Sequence, residues 1–295
     1  MPEEQGRLVP VHDTELYVVE RGASDALPIL VLHGGPGLDH HEFGEYLDPL
    51  TDDGRYRLVL ADLRACGRSR RDAPPETWTL ETMASDVSGL AAGLGEERYA
   101  VLGHSFGAFV ALQHAVDAPG ASVATVVSGG IPSTRFLTAV EENLAAFEPV
   151  ELREQVSASW ARESEVRTED DARQLLLDQM PFHFADPFDP RIEAYNRIAT
   201  EPTVYAPDVL RHFSDGYGGI EVEARLGEVR QPVLITAGRY DRTCTIEAAE
   251  AMAAGIPGAE LIVFESSGHM MFVEEPDRYI AAVRGFLDRT TGLQA

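Results

Sequence analysis

Basic side chains are scarce in this sequence. Lysine and arginine together number 24 against 49 aspartates and glutamates, for a formal net charge of −25. Such a chain offers no complementary surface to phosphate backbones, so nucleic acid is excluded as a partner. An anionic membrane surface is excluded on the same ground. Cysteine is nearly absent: Cys66 and Cys244 are the only two. Two thiols do not make a disulfide framework, and neither has the neighbouring histidines or cysteines of a metal site. They read as free thiols of a reducing compartment. There is no run of about 18 apolar residues that could cross a bilayer. The opening Met1-Pro2-Glu3-Glu4-Gln5 is acidic and has no apolar core, unlike a signal peptide. The expectation is a cytoplasmic protein that binds neither nucleic acid nor membrane. Its oligomeric state is not encoded in any feature of the sequence.

What is present points to an α/β architecture. Apolar residues make up 44 % of 295 positions, enough for a large core. Continuous apolar runs recur at residues 29–32, 58–61, 99–102, 124–127, 233–236 and 261–264, with an early strand at 16–20. Runs of four to six residues that are apolar on both faces suit the buried strands of a parallel sheet. Helical spacing lies between them. Leu80, Met83, Val87, Leu90 and Leu94 share one face and Gly95 follows as a stop. Pro276 opens a last helix with Ile280, Val283, Phe286 and Leu287 on one side. Strand and helix alternate, so the fold class is a doubly wound, mostly parallel α/β sheet.

The alternation stops between about residues 131 and 226. That stretch reads as helices at 136–147, 150–165 and 169–180 and is rich in aromatics. Residues 1–132 and 226–295 then form the core, and 133–225 a helical cap over the sheet edge where ligands bind in such folds.

The chemistry is concentrated in Gly103-His104-Ser105-Phe106-Gly107, between an apolar run and an alanine-rich helical segment. A serine at the apex of a strand–turn–helix is held in a strained conformation with its hydroxyl exposed. The flanking glycines are required because a Cβ would strike the neighbouring strand and helix. A serine hydroxyl needs a base, and the base needs a carboxylate. Asp241 follows the run 233–236, and His269 follows the run 261–264, so all three lie past strand ends and can meet at one sheet edge. His33-Gly34-Gly35-Pro36-Gly37 follows the run 29–32. Its glycines allow close backbone approach, and the Gly35 and Phe106 N–H groups are the expected oxyanion donors. This set predicts acyl transfer to water through an acyl-enzyme, with no metal and no organic cofactor.

Together, His33 to Gly37, Gly103 to Gly107, Gly238-Arg239-Tyr240-Asp241 and Gly268-His269 resemble the α/β-hydrolase superfamily. Asp62-Leu63-Arg64-Ala65-Cys66-Gly67-Arg68-Ser69 is similar to its structural turn, with Ala65 where glycine is usual. The form His-Gly-Gly-Pro-Gly, that turn and Val127-Ser128-Gly129-Gly130 are similar to the proline iminopeptidase subgroup. The resemblance implies removal of N-terminal residues, often proline, from short peptides. It also implies that lid carboxylates hold the substrate's free amino group. Glu201 and Glu193 are the candidates for that role, and His183 and Phe182 for lining the pocket. His104-Ser105-Phe106 departs from the subgroup's usual motif and looks more like general esterases. A carboxylesterase or lactonase is therefore an alternative, and a ligand-binding receptor on a hydrolase scaffold is the non-enzymatic one. The expected partner is a small molecule or short peptide.

Overall fold

The computed structural model describes residues 6–293, so the reading of residues 1–5 lies outside it. One sheet of eight strands organises the chain. The strands are β1 (Arg7–Val11), β2 (Thr14–Arg21), β3 (Leu27–Leu32), β4 (Tyr56–Ala61), β5 (Ala100–His104), β6 (Ala124–Ser128), β7 (Val233–Gly238) and β8 (Glu260–Phe264). Their spatial order is β1-β2-β4-β3-β5-β6-β7-β8. β1 and β2 are antiparallel to their neighbours, and the pairings from β4 to β8 are parallel.

Helices cover both faces. In chain order they are α1 (Leu80–Leu94), α2 (Phe106–Asp117), α3 (Thr138–Ala145), α4 (Val150–Ala161), α5 (Glu169–His183), α6 (Arg191–Tyr195), α7 (Pro207–Phe213), α8 (Ile246–Gly255), α9 (Met271–Glu274) and α10 (Pro276–Thr291). Side chains on a strand alternate between faces, and both faces of β3 are apolar. Leu30 and Leu32 pack in one cluster with Val110 and Ala111 of α2. Ile29 and Val31 pack in the other with Tyr279, Val283 and Phe286 of α10. Each such fully buried side chain contributes roughly 1.5–3 kcal/mol. Gly95 ends α1 at φ +79°, and Pro276 opens α10, where a missing N–H costs nothing.

The chain between β6 and β7 forms helices α3 to α7 with short 3₁₀ turns and adds no strand to the sheet. Its two ends are tied together. Ser133 and Glu221 form an isolated bridge, and the Ser133 and Thr134 hydroxyls donate to Glu221 Oε1 at 2.8 and 2.7 Å. Within this segment the helix expected at 150–165 ends at Ala161, and residues Glu163–Glu165 form a separate 3₁₀ turn. The helix expected at 169–180 runs on to His183 with Pro181 inside it. Both cysteines are buried free thiols. Among the described residues no helix is long and apolar enough to cross a membrane.

Candidate active site

Four loops at the C-terminal ends of parallel strands build the site. The first is the turn from β5 into α2. Ser105 has φ +53° and ψ −120°, a conformation that costs an L-residue about 1–3 kcal/mol. The glycines on either side explain how it persists. A Cβ on Gly103 would lie 2.1 Å from the Gly107 carbonyl oxygen, and one on Gly107 would lie 2.2 Å from the Leu32 carbonyl oxygen. The turn is therefore wedged between its own helix and β3, and Ser105 faces a cavity.

The second loop follows β3. His33 is fully buried, which keeps it neutral and holds its pKa below the ordinary value. It accepts the Leu63 N–H at Nε2 (3.0 Å) and faces the Gly34 carbonyl through Nδ1 (2.8 Å), so the proton is on Nδ1. Gly35 has φ +108°. The Gly35 and Phe106 N–H groups have no acceptor among the described residues, and both residues line the cavity. Two unpaired backbone donors beside an exposed hydroxyl form a ready site for negative charge.

The third and fourth loops bring Asp241 and His269 together. His269 Nδ1 lies 2.7 Å from Asp241 Oδ2. The other carboxylate oxygen accepts the Thr243 N–H, the Thr243 hydroxyl and the Cys244 N–H at 2.8, 2.8 and 2.9 Å. Burial alone would raise the Asp241 pKa, but the His269 charge and hydrogen bond and the two N–H donors prevail and hold it low. Burial alone would lower His269, but the Asp241 charge and hydrogen bond, then Glu42 and Glu274, raise it. The imidazole is packed between two other histidines. Its ring centroid lies 4.7 Å from His104 and 5.2 Å from His183, both kept neutral by burial.

Glu274 braces this loop. Its carboxylate accepts the Gly268 N–H and the Ala185 N–H, each at 2.8 Å, joining the loop to the end of α5. The His269 N–H donates to the His183 carbonyl at 2.6 Å. Asp241, Cys244 and His269 lie close enough to share an ion. The Asp241 oxygens and His269 Nδ1 are instead committed to hydrogen bonds with one another and with Thr243 and Cys244, an arrangement suited to moving a proton.

Ser105 and His269 open on the same cavity of about 100 Å³, which also reaches into the helical segment. The hydroxyl-to-imidazole hydrogen bond is not formed: Ser105 Oγ has no partner among the described residues. Such bonds commonly tighten only when substrate is bound.

Of the residues named from the sequence, Ser105, Gly35, Phe106, His269 and His183 line this cavity, and Asp241 stands directly behind His269. Glu193 and Glu201 do not reach it. Both are exposed, because α6 and the turn after it direct them outward. Phe182 is buried against Phe147 and Trp160 and does not line the cavity. Two carboxylates not singled out from the sequence do line it, Glu42 and Glu163. Burial pushes each up to about 7. Glu163 accepts from the Tyr217 hydroxyl at 2.7 Å and the Gln179 amide at 2.8 Å, both neutral donors.

Residues 28–276 match the family described as alpha/beta hydrolase fold. The chain belongs to that family. This hydrolase is 29 % identical over 290 residues to a proline iminopeptidase of Lactobacillus crispatus, covering 94 % of this chain and 95 % of the relative. It is 27 % identical over 304 residues to a proline iminopeptidase of Clostridioides difficile, covering 93 % and 94 %. Among solved structures it is similar to proline iminopeptidase of Mycobacterium smegmatis, with a TM-score of 0.75 and 26 % identity over 98 % and 99 % of the two chains. An esterase of Exiguobacterium antarcticum shares the fold at a TM-score of 0.74 and 22 % identity over 96 % and 100 %.

Proposed function

We propose that the protein is a serine hydrolase that releases an N-terminal residue, proline among them, from short peptides. His269 takes the Ser105 proton as the oxygen attacks the carbonyl carbon. Asp241 keeps the proton on Nδ1 and stabilises the imidazolium. The Gly35 and Phe106 N–H groups hold the oxyanion. His269 then gives its proton to the departing amine, and water enters by the same route in reverse to hydrolyse the acyl-enzyme.

The observation that favours an aminoacyl substrate is Glu163. It is 8 % exposed, lines the cavity and is held by neutral donors alone. The chain contains no lysine, and among the described residues no arginine pairs with Glu163. A buried carboxylate without a cation is a cation-seeking group. In this reading it takes the role that the resemblance assigns to a lid carboxylate. The expectation moves from Glu193 and Glu201 to this residue.

The test is hydrolysis of prolyl-β-naphthylamide. Ser105→Ala should abolish turnover and fluorophosphonate labelling while the fold survives. Glu163→Gln should raise KM for the prolyl amide at least about tenfold. Turnover persisting in Ser105→Ala would remove the nucleophile assignment. An unchanged KM in Glu163→Gln would remove the amino-group assignment.

A further inference from the structure

The mechanism leaves one cavity carboxylate unused. Glu42 lies in the 3₁₀ turn His40–Phe43 after β3, on the sheet core and not in the helical segment. Its Oε2 accepts the Gly34 N–H at 2.6 Å. Its Oε1 has no donor among the described residues. A Cβ placed on Gly34 would lie 2.6 Å from that Oε1 and 2.9 Å from Ser105 Cβ. The carboxylate and the serine therefore flank a single α-carbon, the residue before the Gly35 N–H. Glu42 is buried, faces the cavity and has no arginine partner among the described residues.

Its charged and titratable surroundings come from several elements. Asp39 on its own loop repels its charge, and His269 attracts it. Tyr195 of α6 donates its hydroxyl to the Glu42 carbonyl at 3.1 Å, and Tyr279 of α10 feels the Glu42 charge. Glu163, from the helical segment, lines the same cavity. None of these supplies a permanent positive charge.

An anion in this position has a definite consequence for acyl transfer. The oxyanion develops beside the Gly35 N–H, next to Gly34, and a second negative charge there is disfavoured in a site of low dielectric. A positive group on the substrate's α-carbon is two bonds from the reacting carbonyl carbon and offsets that charge. A neutral acyl group offers no such offset. We propose that Glu42 is a specificity-determining residue that accepts the substrate's α-ammonium from the core side of the cavity and slows acyl transfer from neutral acyl groups. This inference rests on the acyl-transfer reading above. An ammonium carries more than one N–H, enough to donate both to Glu42 and to Glu163, which line the same cavity.

The experiment compares alanine p-nitrophenyl ester with its des-amino counterpart, p-nitrophenyl propionate, in the wild type and Glu42→Gln. The amide keeps an oxygen for the Gly34 N–H, so the loop is retained. Folded active sites are counted by fluorophosphonate titration, and about 0.5 M NaCl screens the net charge of the whole molecule. Near pH 7, where the α-ammonium persists, Glu42→Gln should lower kcat/KM for the alanyl ester at least about tenfold. Near pH 8, where Glu42 is ionised, the same variant should raise kcat/KM for the propionate by about fivefold. Glu42→Asp, which keeps the charge, should retain the wild-type preference for the alanyl ester. Equal losses on both esters would reduce Glu42 to a brace for Gly34 and overturn the proposal, as would no change on either. A wild type that turns over the propionate but not the alanyl ester would overturn it while leaving the hydrolase reading intact. Loss of labelling at Ser105 would instead defeat that reading.

Discussion

His269 is surrounded by three carboxylates, and this sets the pH range in which it can act. Asp241, Glu42 and Glu274 together outweigh burial and raise its pKa above the ordinary imidazole value. The proposed base works only when neutral. Activity should therefore be absent at low pH and appear as pH rises through a value above about 6.5. Asp241→Asn removes the strongest raising influence and the orienting acceptor. It should shift that limb to lower pH and reduce kcat/KM for a neutral ester by roughly 10³–10⁴. A pH–rate profile of both proteins is the check, and a limb that stays in place would show that another group is titrating. The residues of this set could be read from the sequence because each follows an apolar strand by a few positions. Glu42 and Glu163 could not be read in that way. In a chain with 49 acidic residues, a carboxylate signals function only when it is buried without a cation, and burial is decided by distant packing.

Arg242, the neighbour of Asp241, carries the connection between sheet and helical segment. Its guanidinium donates to the Phe182, Phe184 and Ala185 carbonyls at 3.1, 2.6 and 3.2 Å, at the C-terminal end of α5. It lies 5.1 Å from the Phe147 ring centroid. A cation there satisfies carbonyls that the end of a helix leaves without partners. Arg242→Ala should destabilise the protein by about 2–4 kcal/mol. It should also raise amide exchange selectively at residues 182–185, which include His183, whose ring packs tilted against His269. Exchange that rises uniformly through the molecule would mean that Arg242 is not a local clamp. The core elements were legible because their signals are strong: apolar runs for β3 to β8, helical spacing for α1 and α10. The helical segment was less so. The helix expected at 150–165 ends at Ala161, although Ala161-Arg162-Glu163 contains neither glycine nor proline. The chain turns after Ala161 so that Glu163 meets Gln179 and Tyr217. The helix expected to end at Met180 runs three residues further to His183, where Arg242 and Glu274 hold the emerging backbone. β1 was missed because an antiparallel edge strand with exposed Arg7 and Leu8 carries no continuous apolar run.

At the scale of the whole molecule, the net charge of −25 acts on anything that approaches. Its field attracts cations and enriches them near the surface, and dissolved salt screens it with a Debye length of about 10 Å at 0.1 M. A cationic aminoacyl substrate should therefore be drawn in at low ionic strength, while its neutral des-amino counterpart is indifferent. Raising NaCl from about 0.02 M to about 0.5 M should lower kcat/KM for alanine p-nitrophenyl ester several-fold and change that for p-nitrophenyl propionate less than about twofold. The attraction enters kcat/KM whether encounter or binding is limiting, so the prediction does not depend on which step is slow. It also separates the global field from the local carboxylates. Glu42 and Glu163 are buried, and pairs inside a cavity are screened far less than surface charges. The preference for the alanyl ester should thus shrink with salt to a plateau and not vanish. The height of that plateau, measured in the wild type and in Glu163→Gln, gives the share of selectivity that belongs to the cavity itself. A preference that salt abolishes completely would assign it all to the surface.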